Sequence, residues 1–200
     1  MRGTKKYKIN EIFYSIQGEG ANSGRPALFI RFSGCNLACP FCDTDFKDYK
    51  LMSLDDILQA LLSLSNSCRF VVLTGGEPTL QVDDALVRML HQYAYYIAIE
   101  TNGTRAVNSE IDWVTLSPKQ NFVGDKGINI VKKCDEVKVV FDGKTPIRQY
   151  GVVAKYYYVQ PCDTGDEKRN KEIINQCIQF VKENPIWKIS LQTHKMLNVR

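Results

Sequence analysis

Short apolar runs alternate with polar segments along the chain. Each run has the length of a buried β-strand and is rich in β-branched and aromatic side chains. The six runs are ALFIRFSG (27–34), FVVLTG (70–75), YYIAIE (95–100), WVTLS (113–117), EVKVVF (136–141) and YYYVQ (156–160). We therefore predict six strands. The first 20 residues and IWKISLQ (186–192) are expected to add strands at the edges.

Three stretches between or after these strands carry apolar side chains at helical spacing. They are Leu54, Ile57, Leu58, Leu61 and Leu62; Val82, Ala85, Leu86, Met89, Leu90 and Tyr93; and Ile173, Ile174, Cys177, Ile178 and Val181. Ser53 suits the N-cap of the first helix, and Asp55 and Asp56 suit its positive end. Strands that alternate with helices are typical of βαβ units in a parallel sheet. The pattern predicts a partial, open (β6/α3) TIM-like barrel with mostly parallel strands.

Length and composition indicate how many domains the chain forms and what kind of ligand it binds. A chain of 200 residues with 44% hydrophobic content can bury one large core, which predicts a single domain over residues 1–200. There is no secretory signal and no run of 18 apolar residues, so we expect a cytoplasmic protein without a membrane partner. A net charge of +4 without a basic stripe favours small anionic ligands over nucleic acid.

The sequence-specific polar stretches fall at the C-terminal ends of the predicted strands. They are the cysteine loop after the first strand, TGGEP (74–78), ETNG (100–103), SPK (117–119) and QPCD (160–163). In a parallel, barrel-like sheet these ends share one face, where such folds place their active sites. The scattered motifs therefore predict one site.

Three of the seven cysteines lie close together in GCNLACPFCDT (34–44). A structural zinc site would need a second ligand pair, and only two histidines are available. The Cys-x3-Cys-x2-Cys spacing of Cys35, Cys39 and Cys42 suits a cube-type iron–sulfur cluster, in which one iron would have no protein ligand. Of the other cysteines, Cys68 and Cys177 are predicted to be packed thiols.

This loop, followed by GGE-P after the next strand, resembles the radical S-adenosylmethionine (SAM) enzymes. The resemblance implies a [4Fe-4S] cluster on Cys35, Cys39 and Cys42, with SAM on the open iron. One electron from the cluster would split SAM into a 5'-deoxyadenosyl radical. The residues that would contact SAM are Phe41, Thr74, Gly76 and Glu77, with Ser117, Pro118, Lys119, Gln160 and Pro161.

A narrower resemblance covers nearly the whole chain. YSIQGEG (14–20), LFIRFSGCN (28–36), CDT (42–44), ETNGT (100–104), SPK (117–119) and LQTHKMLNVR (191–200) are similar to the 7-carboxy-7-deazaguanine synthase family of the queuosine pathway. This implies conversion of 6-carboxy-5,6,7,8-tetrahydropterin to 7-carboxy-7-deazaguanine with loss of ammonia. It also implies assistance by Mg2+, a homodimer, and flavodoxin or ferredoxin as the electron donor.

A carboxylated pterin requires a fixed cation together with amide and carboxylate partners. The candidate substrate residues are Ile16, Gln17, Gly18, Glu19, Arg31, Thr74, His194 and Arg200. By resemblance, Thr44 would bind Mg2+, and the terminal carboxylate at Arg200 would meet the substrate.

Other interpretations stay open from the residues alone. Arg31 could form a surface ion pair, Thr44 could be an ordinary loop residue, and the Gly-Gly, Asn-Gly and Ser-Pro pairs could be plain turns. Two other functions also remain: an activase that places a glycyl radical on a protein partner, and a metal-binding module without catalysis.

Overall fold

A computed structural model describes residues 5–42 and 48–200 of the chain. The strands are β1 Tyr7–Ile16, β2 Pro26–Phe32, β3 Lys50–Met52, β4 Phe70–Gly75, β5 Tyr96–Thr101, β6 Trp113–Leu116, β7 Lys133–Phe141, β8 Val153–Pro161 and β9 Trp187–Ile189. The helices are α1 Leu54–Leu64, α2 Asp84–Gln92, α3 Gln120–Val123, α4 Glu167–Glu183 and α5 Thr193–Met196.

The strands form one mixed sheet in the order β3-β1-β2-β4-β5-β6-β7-β8-β9. From β2 to β9 every neighbouring pair is parallel, whereas β1 is antiparallel to both β2 and β3. The six predicted strands correspond to β2 and β4 to β8. The two predicted additions are β1 and β9, of which β9 is an edge strand and β1 lies between β2 and β3. The partial, open barrel with mostly parallel strands is therefore confirmed, and the short strand β3 is an addition that the pattern did not predict.

The three predicted helices are α1, α2 and α4. Ser53 caps α1 as predicted, in a reciprocal capping box: its hydroxyl accepts from the Asp56 amide, and its own amide donates to the Asp56 carboxylate. Tyr93 lies beyond the end of α2 and is exposed, although the pattern placed it on the apolar face. The four-residue helices α3 and α5 were not predicted because they are too short to show a period.

The buried side chains form two hydrophobic clusters. The larger cluster joins β1, β2, β4 and β5 to α1 and α2, and the second joins β6 to β9 to α4. The Cys68 and Cys177 thiols are buried in these clusters, as predicted. In the part of the chain that the structure describes, no helix is long and apolar enough to cross a membrane.

Residues 17–25, which connect β1 to β2, reach across the open barrel to its other end. The Gly20 amide donates to Ser190 Oγ at 3.0 Å, and the Ala21 amide donates to Glu136 Oε2 on β7 at 2.7 Å. The sheet order separates β1 and β2 from β7 and β9 by several strands. We call residues 17–25 the crossing loop, since they reach from β1 and β2 to β7 and to Ser190 after β9.

The contacts of the crossing loop predict that alanine substitutions at two of its glycines lower the stability of the protein by different amounts. Gly20 and Gly24 both have positive φ, so alanine at either position costs about 1–2 kcal/mol. A Cβ on Gly20 would also lie 2.1 Å from Glu136 Oε1, whereas one on Gly24 would meet nothing within 4 Å. We expect Gly20→Ala to lower the free energy of unfolding by at least about 1 kcal/mol more than Gly24→Ala, because it disturbs a buried, hydrogen-bonded carboxylate. Urea denaturation measures both variants, and equal losses would contradict this contact.

Candidate active site

A cavity of about 490 Å³ opens at the C-terminal ends of the parallel strands. Most residues predicted from sequence line it. They are Cys35, Cys39, Cys42 and Phe41; Ile16, Gln17, Gly18, Glu19, Arg31 and Thr74; Gly76, Ser117, Lys119, Gln160 and Pro161; and His194 and Arg200. The fold therefore brings together stretches from both ends of the chain at the predicted face of the sheet.

The cysteine loop follows β2 and packs on the Gly-Gly turn after β4. The Glu77 amide donates to the Gly34 carbonyl at 2.9 Å, and a Cβ on Gly76 would lie 2.0 Å from that same oxygen. Gly34 itself has φ of +91°. The two loops approach so closely that Gly76 has no room for a side chain. This contact fixes the cysteine loop against the end of the sheet.

The three thiols of this loop share the cavity without converging on one point. Cys35 and Cys39 are partly buried, and Cys42 is exposed. Burial raises the pKa of the Cys35 and Cys39 thiols, and the neighbouring thiols raise it further. Among the described residues, no three His, Cys, Asp or Glu side chains are placed to hold one metal ion. A cube-type cluster does not require such convergence, because each thiolate binds a different iron. The donor set therefore fits a cluster of this kind.

Lys119 and Phe41 form the wall beside the cysteine loop. The Lys119 ammonium lies 5.7 Å from the centre of the Phe41 ring and donates to Ser117 Oγ after β6. Phe41 also packs edge-on against Phe122 of α3 at 4.5 Å. Burial lowers the pKa of Lys119, while the nearby Cys39 favours its charged form. This wall combines an aromatic surface with a cation next to the thiols.

Two of the predicted site residues that the structure describes, Glu77 and Pro118, are not part of the cavity lining. Glu77 is fully buried, and its carboxylate accepts from the Thr101 hydroxyl at 2.7 Å and the Asn102 amide at 2.8 Å. Its carboxylate therefore fixes the end of β5, and its contact with SAM stays a prediction. Pro118 does not line the cavity either. Thr44, the predicted Mg2+ ligand, lies outside the described residues.

A buried lysine that the sequence reasoning missed lies at the centre of the cavity wall. The Lys138 ammonium on β7 contacts the Glu19 carboxylate of the crossing loop and lies 3.7 Å from Glu100 Oε1 on β5. Burial disfavours the charged form of Lys138, but the surrounding carboxylates outweigh it and raise the pKa of the ammonium. The signal in the sequence was a lysine in the middle of the apolar run EVKVVF.

The same contacts keep Glu19 ionised. Burial alone would raise the pKa of Glu19, but Lys138 and further hydrogen bonds lower it to about 2. Gln160 donates to the Glu19 carboxylate at 3.1 Å, and Gln192 donates to it at 3.0 Å. The crossing loop is thus held by β7, β8 and the segment after β9.

Glu100 completes this group of polar side chains. Its two carboxylate oxygens accept from Gln17 Nε2 at 3.2 Å and from Thr74 Oγ1 at 2.9 Å. Glu100 and Asn102 both line the cavity, although the ETNG stretch could have been only a turn. Gln17 and Thr74, two predicted substrate residues, are therefore linked by hydrogen bonds to the same carboxylate, Glu100.

The segment 193–200 covers the cavity beside the crossing loop. The Thr193 amide and hydroxyl donate to the Gly18 carbonyl at 3.0 and 2.9 Å. A Cβ on Gly18 would lie 2.1 Å from His194 Nδ1, so the histidine packs directly on this glycine. The Lys195 ammonium forms an ion pair with Asp163 after β8 at 3.0 Å. These contacts place His194 and Arg200 on the cavity wall.

Comparisons with known proteins agree with this geometry. The model of the Radical SAM superfamily matches residues 29–119. A 7-carboxy-7-deazaguanine synthase of Bacteroides thetaiotaomicron is 45% identical and covers 96% of this chain and 98% of its own length. A protein of the same name from Burkholderia multivorans is 40% identical, with coverage of 96% and 99%. The crystal structure of QueE from Escherichia coli superposes with a TM-score of 0.73 at 26% identity, covering 94% of each chain.

The similarity extends over nearly the full length of this chain and of these relatives. The chain belongs to the 7-carboxy-7-deazaguanine synthase family of the radical SAM superfamily.

Proposed function

We propose that this protein converts 6-carboxy-5,6,7,8-tetrahydropterin to 7-carboxy-7-deazaguanine with release of ammonia, as a step of queuosine biosynthesis. The observation that carries this proposal is that one cavity holds both the three-cysteine loop and a separate set of carboxylate, amide and guanidinium groups. The first set suits a radical cofactor, and the second suits a small, anionic, guanine-like substrate. Membership of the family supports the same reaction.

Cys35, Cys39 and Cys42 would hold the [4Fe-4S] cluster. The cluster and SAM, when bound, supply the one-electron chemistry that starts the reaction. Phe41 and Lys119 offer an aromatic face and a cation beside the thiols, and Ser117 holds the lysine in place. Gly76 supports this side of the cavity by allowing the cysteine loop to approach. In this proposal Glu77 has a supporting role, since its carboxylate fixes Asn102 and Thr101.

The substrate would lie against the opposite wall. A pterin presents neighbouring N–H groups on its guanine-like edge, and an ionised carboxylate is a strong acceptor for such donors. Glu19 and Glu100 both line the cavity, and Lys138 lies beside both carboxylates. Gln17 and Thr74 orient Glu100 by hydrogen bonds. The network of Glu19, Glu100 and Lys138 would therefore bind the pterin edge selectively, without rearrangement of these side chains.

Shielding from water would come from two segments outside the parallel strands. The crossing loop reaches across the open barrel to β7, and residues 193–200 pack on it through Gly18. A closed site protects reactive intermediates from side reactions and strengthens polar contacts. His194 and Arg200 lie on this cover and would face the substrate.

Further features belong to the same proposal. We propose that Mg2+ assists the reaction with Thr44 as a ligand, that the protein is a cytoplasmic homodimer of single-domain chains, and that flavodoxin or ferredoxin donates the electron. Family membership supports these assignments. Metal titration of the activity, size-exclusion chromatography and reduction assays with each donor test them separately.

The proposed reaction predicts a defined metal content and a defined product. After anaerobic reconstitution we expect about four iron and four sulfide per chain. With SAM and a reductant, the reconstituted protein should convert carboxytetrahydropterin to the deazaguanine acid, detected by mass spectrometry. Zinc without sulfide would refute the radical cofactor. Cleavage of SAM without this product would refute the substrate.

The buried charge network predicts a large effect of Lys138→Met. This change leaves Glu19 and Glu100 without their common cation in a buried setting, and loss of one partner of a buried pair costs about 3–5 kcal/mol. We expect a loss of that size in the free energy of unfolding, measured by urea denaturation, and loss of pterin binding. Lys155→Met is the matched control: its ammonium is exposed and pairs with Asp135 at 2.7 Å, so we expect little change. Equal effects of the two variants would contradict the role of Lys138.

A further inference from the structure

A closed ring of side-chain hydrogen bonds joins the cysteine loop to the turn after β5. Asn36 Nδ2 donates to Thr104 Oγ1 at 2.8 Å, and the Thr104 hydroxyl donates to Asn102 Oδ1 at 2.7 Å. Asn102 Nδ2 donates back to Asn36 Oδ1 at 3.1 Å. Each of the three side chains is therefore both a donor and an acceptor within the ring. We call Asn36, Asn102 and Thr104 the hydrogen-bonded ring.

The β5 side of the hydrogen-bonded ring is held by buried groups. Asn102 is buried, and its amide donates to the Glu77 carboxylate at 2.8 Å. The Thr104 amide donates to Asn102 Oδ1 at 2.9 Å, which fixes the turn between these two residues. Polar networks whose members are all bonded are rigid. Asn36, in contrast, is exposed, so its position depends on the ring more than on packing.

Asn36 follows directly after the first cysteine of the loop, and its backbone surrounds the Cys35 sulfur. The Leu37 amide donates to Cys35 Sγ at 3.4 Å, and the Asn36 amide donates to the same sulfur. Hydrogen bonds from backbone amides stabilise negative charge on an acceptor. The Asn36 side chain, bonded twice within the ring, therefore fixes the backbone segment that directs both amides at Cys35.

We propose that the hydrogen-bonded ring sets the reduction potential of the cluster by holding these two amides against the Cys35 thiolate. Hydrogen bonds to the ligand sulfurs tune the potential of iron–sulfur clusters. Reduction adds one negative charge to the cluster, so amides held at a ligand sulfur favour the reduced state and raise the potential. Asn36, Asn102 and Thr104 are positioning residues in this inference, which rests on the cluster of the proposed function.

Thr104→Val opens the ring while it keeps the shape of the side chain. Asn36 then retains one of its two ring contacts, and the two amides are held less firmly. At the midpoint potential of the unaltered protein, we expect the ratio of reduced to oxidised cluster to fall about twofold to tenfold, the effect of losing one hydrogen bond. This corresponds to a midpoint lower by about 20–60 mV for a one-electron couple. A redox titration of the anaerobically reconstituted protein, followed by electron paramagnetic resonance, measures it.

Two variants are matched controls. Thr104→Ser keeps the hydroxyl and should keep the potential of the unaltered protein. Thr164→Val removes a hydroxyl with contacts of the same kind before α4: Thr164 Oγ1 and the Thr164 amide donate to Asn170 Oδ1 at 2.7 and 2.9 Å. We expect no change of potential in this variant. An unchanged potential in Thr104→Val would overturn the proposal, and so would a shift of equal size in either control.

Amide hydrogen exchange gives a second measurement, which does not require the cluster. In the protein before reconstitution, we expect the Asn36 and Leu37 amides to exchange about twofold to tenfold faster in Thr104→Val than in the unaltered protein. The midpoint of urea denaturation should stay unchanged, because water can replace the lost partner of the exposed Asn36. Faster exchange throughout β4 and β5, together with a lower urea midpoint, would show a general loss of stability and would overturn the proposal.

Turnover of the unaltered protein separates this proposal from the proposed function. If that protein forms the deazaguanine acid while Thr104→Val keeps the potential, only the role of the hydrogen-bonded ring fails. If the potential shifts as expected but no deazaguanine acid forms, the role of the ring stands and the proposed substrate fails. If no iron–sulfur cluster can be reconstituted, both proposals fail.

Discussion

The ion pair between Lys138 and Glu19 is the contact on which the rest of the cavity depends. An ammonium inside a barrel is unfavourable unless carboxylates surround it, and the parallel sheet supplies Glu100 on β5 and Glu136 on β7. The carboxylate in direct contact with the ammonium is Glu19 of the crossing loop, and this ion pair holds the loop at the cavity. Once there, the loop provides Gln17 to the cavity and gives the segment 193–200 a surface at Gly18 on which to pack. The ion pair and the hydrogen bonds of Gly20, Ala21, Gln160 and Gln192 thus support the enclosure of the site together.

The cavity is built by two kinds of structure. The ends of β2, β4 and β6 lead into short loops that carry the thiols, the Gly-Gly turn and Lys119, and backbone contacts fix these loops to the sheet. The opposite wall consists largely of side chains from the crossing loop and from residues 193–200, joined by ion pairs and amide contacts. The rigid part suits a cofactor with fixed ligand geometry. The wall formed by side chains of the crossing loop and of residues 193–200 suits recognition of one particular substrate.

The strands, the main helices and the cysteine loop could be predicted because each leaves a local signal: an apolar run, a helical period or a fixed spacing. The orientation of single polar side chains could not. Lys138 occupies one position in an apolar strand, and nothing nearby in sequence shows that it points inward to Glu19. Glu77 follows the Gly-Gly turn, yet its carboxylate accepts hydrogen bonds from Thr101 and Asn102, at the end of β5 and more than 20 residues further along the chain. The orientation of these side chains depends on contacts between residues far apart in sequence. The strand β3 and the four-residue helices were missed for another reason, because they are too short to show a pattern.

The barrel is open, and the crossing loop links its distant strands mainly through side chains. This has a consequence for the cooperativity of unfolding. Adjacent strands are joined by ladders of backbone hydrogen bonds, whereas the two ends of the sheet are joined through Glu19, Glu136 and Ser190 by a few contacts. The free energy needed to release the crossing loop is therefore smaller than that needed to unfold the sheet, and the two events are separable. Amide hydrogens of Gly20 and Ala21 should exchange with solvent through a local opening, while those of β4 and β5 should exchange only when the whole protein unfolds.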